Sequence, residues 1–325
     1  MKKLKWGIIG LGKIAHKFAE DLLLSTGSQL YGVASRSLDK SESFAKKYGA
    51  VKHFGAYLEL VKDPEIDVVY IATPHPFHEE NTLMCLEHGK HVLCEKPMGM
   101  NKEQAEKMFG VAKEKNLFLM EALWSRFIPG IEKMLEIVRS DTLGKILFLR
   151  ADFGFKAEFD PSGRVYNKKL GGGSLLDIGI YPIFLSQLLL GKPSGIKAMA
   201  RMASTGVDTF CAMLLDFPGN EKAVLESTVE GDTPVEAYIY GKKGNIKLHS
   251  RFHHTQKITL SLDGQKPRTI TAEYVGNGYY HEIKEVEECI AEGKIQSKKF
   301  SEKDSLHLVE TMDHVREEIG LHYDL

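Results

Sequence analysis

Two hydrophobic patterns succeed each other along the chain. Up to about residue 122, short unbroken apolar runs alternate with stretches whose apolar positions recur at helical spacing. The runs at residues 6–9, 30–34, 51–54, 67–72, 91–94 and 117–120 predict strands. The stretches at 13–24, 39–48, 56–61, 79–87 and 101–115 predict helices. Strand alternating with helix predicts an α/β, doubly wound parallel sheet. From Lys145 onward strands dominate, at 146–157, 196–204, 209–217, 223–229, 236–240, 245–249, 258–262 and 268–272. Turn signals such as Pro218-Gly219-Asn220, Lys243-Gly244 and Asp263-Gly264 separate several of them. Helices are predicted at 174–190, 280–292 and 301–319. This second half predicts an α+β domain, a large, mainly antiparallel, open-faced sheet with helices on one face. The expected division is 1–122 and 123–325, with the last helix packing back on the first domain and the active site in the cleft between them.

The first strand ends in Gly10-Leu11-Gly12-Lys13-Ile14-Ala15 and a helical pattern starts at once. Gly10 permits a tight turn, Gly12 lets phosphates approach the backbone, and Ala15 allows helix and strand to pack closely. Backbone N–H groups and the positive end of the helix dipole then meet at one point, which suits a dinucleotide pyrophosphate in a Rossmann domain. The second strand ends in Ser35-Arg36-Ser37, where an NAD enzyme tends to place a carboxylate for the ribose hydroxyl. Arg36 and two hydroxyls suit the extra phosphate of NADP instead, with NAD possible as well. Thr73-Pro74-His75-Pro76-Phe77-His78 loops over the carboxyl end of the sheet, where ligands bind in such folds, and the next strand delivers Glu95-Lys96-Pro97.

Composition narrows the field. The 325 residues carry a net charge of −1, so nothing in the overall charge invites nucleic acid or an anionic membrane. No apolar stretch is expected to cross a bilayer, and the N-terminal run enters the first strand without a signal-type apolar core, which gives a cytoplasmic expectation. Cys85, Cys94, Cys211 and Cys289 have neither metal-clip nor redox-pair spacing. His253-His254 lacks partners at ligand spacing and is expected in a solvated loop, so no metal site is expected.

Gly10-x-Gly12-x-x-Ala15, Ala72-Thr73-Pro74, Glu95-Lys96-Pro97 and Asp177-Ile178-Gly179-Ile180-Tyr181-Pro182 together resemble the Gfo/Idh/MocA oxidoreductases, essentially end to end. Glu121-Ala122-x-Trp124-x-Arg126-Phe127, with Tyr181, is similar to the branch of dimeric dihydrodiol dehydrogenases and NADP-dependent D-xylose dehydrogenases. Two positions depart from the common family pattern. His75 stands where Asn is frequent, and Tyr181 where many members have His, which points away from inositol dehydrogenases. The resemblance implies a cofactor held by Gly10, Gly12, Lys13, Ile14, Ser35, Arg36, Thr73, Pro74, His75, His78, Glu95, Lys96 and Trp124. It also implies a small sugar, polyol or trans-dihydrodiol substrate and a homodimer or dimer of dimers.

Oxidising an alcohol removes a hydride from carbon and a proton from oxygen, so an acid/base must reach the oxygen. Tyr181 is assigned that role. A free phenol titrates near 10, and a neighbouring ammonium, Lys96, would stabilise the phenolate while also binding the substrate oxygen. Asp177 is assigned to a substrate hydroxyl or to Lys96. Ser174 is expected to cap the helix that carries Asp177 and Tyr181 on one face, and Pro182 to kink it. Trp124 and Phe153 are expected to wall the substrate pocket. Arg126 is either an orienting donor there or half of a surface ion pair. Phe155 shares a strand face with Phe153 that equally suits a core. The alternatives are a cofactor-binding sensor without turnover and a glycosidase that uses bound NAD transiently. Residues 196–200 and 210–215 are apolar on nearly both strand faces, and pairing of two sheets across a two-fold axis would cover the excess.

Overall fold

The structure, a computed structural model, describes residues 3–323. The chain begins β1 (Leu4–Ile9), α1 (Lys13–Leu22), β2 (Ser28–Ala34), α2 (Leu38–Tyr48), β3 (Lys52–Phe54), α3 (Tyr57–Lys62), β4 (Val68–Ile71) and α4 (His78–Glu87). It continues through β5 (His91–Glu95), α5 (Lys102–Glu114), β6 (Leu119–Ala122) and α6 (Pro129–Arg139). Then come β7 (Ile146–Gly154), a π-turn over Leu175–Gly179, α7 (Ile180–Leu190), β8 (Gly195–Met202), β9 (Asp208–Asp216) and β10 (Lys222–Thr228). The remaining elements are β11 (Ala237–Gly241), β12 (Gly244–Leu248), β13 (Lys257–Leu262), β14 (Arg268–Thr271), α8 (Tyr280–Ala291) and α9 (Glu302–Glu318).

Two compact units result, but not by the single cut expected after residue 122. One runs through Phe127 and also contains Val275–Leu306; the other contains Ile128–Tyr274 and the segment from His307 onward. The return of 275–306 has a local cause. Asp21 of α1 accepts the backbone N–H of Asn277 (2.7 Å) and of Tyr280 (3.0 Å), which satisfies the start of α8. Ser25 and Ser28 also donate to Glu287 of α8.

The first unit holds a six-stranded parallel sheet in the order β3-β2-β1-β4-β5-β6. Strand order reverses between β1 and β4, which makes the carboxyl ends of these strands the place for a ligand. All four residues of β4 are buried, as an unbroken apolar run in a doubly covered sheet requires. β6 lies two residues beyond its predicted span, so Glu121 is a strand residue, paired with Cys94 of β5.

The second unit holds an eight-stranded sheet in the order β14-β13-β12-β11-β7-β10-β9-β8, antiparallel except for the pair β7 and β10. α7 packs on β7 and β10. The run Lys168–Leu190, contrary to the expectation from sequence, is long and apolar enough to cross a membrane, with mean hydropathy 1.5. Most of it is buried as core. One helix lies outside the predicted set: α6 opens with Pro129 at a first-turn position, where the missing N–H costs nothing, and buries Ile131, Met134, Leu135 and Ile137. The four cysteines are buried and free.

Candidate active site

In the first unit, Gly10 sits at φ 84° immediately after β1. A Cβ there would stand 2.6 Å from the backbone carbon and oxygen of Ala72, so the close approach of β1 to β4 admits only glycine. Gly12 is exposed, and nothing lies within 4 Å of where its Cβ would be. It is also the N-cap of α1, and no side chain caps that end. Uncapped helix N–H groups facing open space fit a dinucleotide pyrophosphate. Lys13 is exposed and Ile14 half-buried in the first turn of α1, and Ala15 is fully buried behind them.

Past β2, Arg36 is exposed. The Ser35 hydroxyl accepts the N–H of Ser37 (3.3 Å), and the Ser37 hydroxyl accepts the N–H of Lys40 as N-cap of α2. Their oxygens therefore hold the turn in shape around Arg36.

At the end of β4, Thr73 and His75 are buried, and Pro74 precedes a 3-10 turn over His75–Phe77. His78, expected to meet the cofactor, is instead fully buried, with Nδ1 2.8 Å from the Pro97 carbonyl and Nε2 2.9 Å from the Thr73 carbonyl. Both ring nitrogens face backbone, so none is left for a ligand, and the assignment is corrected to a structural one. Burial pushes the imidazole pKa below its ordinary value, against the pull of the two carbonyls.

The loop Glu95-Lys96-Pro97 is surrounded by buried titratable groups. Tyr70 donates its hydroxyl to Glu95, and the Lys96–Pro97 peptide is cis. Glu121 is fully buried and accepts the N–H of Met98 (2.8 Å). Burial pushes its carboxyl up to about 7, while the Met98 N–H and the Lys96 ammonium pull the other way. Glu282 of α8 is fully buried, and neither carboxyl oxygen has a hydrogen-bond partner among the described residues. Burial, with the charges of Glu95 and Asp21 acting in the same direction, holds it well above the carboxylate range. Glu121, Glu282 and Tyr70 carry no motif of their own beyond the Glu121-Ala122 dipeptide, and only the packing shows them as a group.

Trp124 is buried and stacks on Tyr279, with centroids 4.5 Å apart. Arg126 is not at the surface: it is 4 % exposed, and its Nε donates to the Lys299 carbonyl (2.8 Å). The surface ion pair is therefore corrected to a buried tie between the turn after β6 and residue 299.

In the second unit, Tyr181 is 6 % exposed and lies against Phe153 (centroids 5.6 Å) and His253 (4.8 Å). Phe153 and His253 stack on each other at 4.5 Å. His253 is thus buried in the aromatic cluster, not in a solvated loop; sequence gave no sign of this, because the cluster joins β7, α7 and a 3-10 turn far apart in the chain. His254 meets the Tyr274 hydroxyl at 3.0 Å. Phe155 packs with Tyr166, Ile178 and Val229.

Asp177 is held by Arg164 in a two-point pair, 2.9 and 2.8 Å. Arg164 was not among the expected site residues, although it lies in the segment 158–170 that borders them. Ser174 is not the expected side-chain cap. Its hydroxyl donates to Asp208 (2.6 Å), and Asp208 accepts the N–H of Leu175 (2.8 Å) in its place. The irregularity expected at Pro182 falls earlier, in the π-turn over Leu175–Gly179 that includes Asp177, and α7 runs on through Pro182 to Leu190.

This geometry belongs to a nicotinamide-dependent oxidoreductase, and the comparisons agree. The family model described as an oxidoreductase family with an NAD-binding Rossmann fold matches residues 4–123, and that of the GFO/IDH/MocA C-terminal domain matches residues 131–247. The trans-1,2-dihydrobenzene-1,2-diol dehydrogenase of Xenopus tropicalis is 36 % identical over 328 residues, covering 98 % of this chain and 99 % of the relative. That of Danio rerio is 37 % identical over 329 residues, covering 98 % of each. A 3-ketoreductase from Actinomadura kijaniata, solved with NADP and TDP-benzene, superposes with a TM-score of 0.89 at 25 % identity, covering 98 % of each chain. An aldose-aldose oxidoreductase from Caulobacter crescentus, solved with glycerol, does so with a TM-score of 0.89 at 25 % identity, covering 98 % of this chain and 97 % of that one. The chain belongs to the Gfo/Idh/MocA oxidoreductase family and is a dihydrodiol dehydrogenase-like NAD(P)-dependent enzyme.

Proposed function

We propose that the protein catalyses reversible hydride transfer between NADP(H) and a hydroxyl or carbonyl carbon of a small sugar, polyol or trans-dihydrodiol. The observation that carries this reading is the setting of Tyr181. Its ring packs against the stacked pair Phe153 and His253, and four residues earlier stands a carboxylate already neutralised by Arg164. An apolar ring wall beside a polar pair suits a compact ring that bears adjacent hydroxyls.

Gly10, Gly12, Lys13, Ile14, Ser35, Arg36, Thr73, Pro74, His75, Glu95, Lys96 and Trp124 would hold the nicotinamide nucleotide, which would supply the hydride acceptor for oxidation and the donor for reduction. Tyr181 takes the proton from the hydroxyl oxygen as the carbonyl forms, and gives it back in reduction. The Lys96 ammonium stabilises the phenolate and donates to the same substrate oxygen. Asp177, oriented by Arg164, accepts from a second substrate hydroxyl. Trp124 and Phe153 wall the pocket, with Arg126 steadying the turn that carries Trp124. The test is a panel of aldopyranoses, acyclic polyols and trans-dihydrodiols assayed for NADPH formation, with NAD run alongside. Turnover of at least one class with NADP is expected; none with either nucleotide would reject the reading.

We propose also that the open face of the eight-stranded sheet pairs with a second copy of this chain. Lys197, Leu214, Val224, Arg150 and Tyr238 lie abreast on that face, and Phe148 stacks on Tyr240 beside them. Leu214, Val224 and Phe148 are exposed, and Met199 is 79 % exposed. Such a surface favours burial against a like surface. Sedimentation at micromolar concentration is expected to give a dimer or a multiple of it, and a monomer would reject the pairing.

A further inference from the structure

We infer that His78 and Glu121 are positioning residues for Lys96, acting as a buried clamp on a single peptide group, the one that joins Pro97 to Met98. The clamp deepens the reading given under Proposed function, since it matters to turnover only if Lys96 acts there.

The geometry is specific. The Pro97 carbonyl meets His78 Nδ1 at 2.8 Å, and the Met98 N–H donates to Glu121 Oε1 at 2.8 Å. These are the two polar groups of the same planar unit, so its position and its tilt are both fixed. Both clamping side chains are fully buried and come from separate elements, the start of α4 and the strand β6. The other nitrogen of His78 stands 2.9 Å from the Thr73 carbonyl in the loop after β4; a neutral imidazole carries one N–H and donates to one of the two carbonyls, and only the imidazolium bonds both. Pro97 fixes its own φ, so its ψ is the one soft backbone torsion between the clamped peptide and the peptide that carries Lys96. The Tyr70 hydroxyl anchors Glu95 on the other side of the lysine. A flexible lysine side chain loses much of its precision if its backbone drifts, and a misplacement of about 1 Å can cost roughly 10²-fold in rate.

Neither clamping residue needs to touch substrate or cofactor. A buried carbonyl and a buried N–H left without partners would leave the loop free to move, and each demands a partner on its own account.

The test uses the full chain with His78→Phe, which keeps a ring but donates nothing, and Glu121→Met, which keeps bulk but accepts nothing. Glu121→Gln keeps the acceptor for Met98. In His78→Phe and Glu121→Met, kcat is expected to fall about tenfold or more, with the NADPH dissociation constant changed less than about threefold. The pH at which the oxidation rate reaches half its maximum is expected to move upward in both, because a displaced ammonium stabilises phenolate less. Glu121→Gln restores kcat; like Glu121→Met it lacks the carboxylate charge beside Lys96, so its half-maximal pH is expected to lie below that of Glu121→Met by the contribution of the clamp alone. Hydrogen exchange at the Met98 amide accelerates in His78→Phe and Glu121→Met and stays slow in Glu121→Gln.

The clamp is overturned if the folded His78→Phe and Glu121→Met proteins keep the parent pH profile, kcat and Met98 protection. It is overturned equally if kcat falls with no change in pH profile or exchange, as a merely structural role requires. Lys96→Met is measured beside them. If that variant keeps full turnover, the role given to Lys96 falls and the clamp as a positioning device for it falls too; if it is inactive, the two clamp variants decide.

Discussion

Replacing Tyr181 by Phe is expected to abolish most turnover while leaving NADPH binding intact. The ring remains to fill the space against Phe153 and His253, so the local packing survives and only the hydroxyl is lost. A positioned acid/base contributes about 10²–10⁴-fold, and kcat in both directions is expected to fall by that order. NADPH affinity, followed by its fluorescence, is expected to stay within about twofold, because the cofactor's binding groups lie on the other unit. The rate that remains should also lose the pH dependence of the parent enzyme over the range in which the phenol titrates. Unchanged turnover would remove Tyr181 from the mechanism and with it the reason for reading Lys96 as its partner.

Arg36→Ala is expected to turn the proposed preference for NADP into indifference or a preference for NAD. Arg36 stands exposed just past β2, in a turn shaped by Ser35 and Ser37, and no carboxylate stands there to repel a phosphate. Hydrogen bonds to charged groups contribute about 1.5–3 kcal/mol, so the dissociation constant for NADP should rise by about 10–100-fold. NAD lacks the phosphate and should be affected less than about threefold, through stacking on the adenine alone. The ratio should also fall with added salt in the parent and much less in the variant, since a partly exposed charge pair is screened. Equal losses for both nucleotides would show that the 2′-phosphate is bound elsewhere.

The sequence alone determined the elements whose signal is local. The run from Trp6 through Ala15 states its own local geometry, a strand, a turn at positive φ that favours glycine and a helix start, whereas the close approach of Ala72 that admits only glycine at Gly10 comes from packing. The order of strands and helices in the first unit followed from the same periodicities, as did the change to alternating strands beyond Lys145. The tertiary structure decided whatever depends on residues distant in the chain. It returned 275–306 to the first unit through the carboxylate of Asp21, which no spacing announces. It withdrew His78 from the cofactor and gave Arg126 a buried carbonyl in place of a surface partner. It gave the capping role expected of Ser174 to Asp208, more than thirty residues away. It set Arg164 on Asp177 and His253 beside Tyr181. The physical reason is common to all of these: a buried polar group must find a partner once water is excluded, and which partner is near enough is fixed only when the chain has packed.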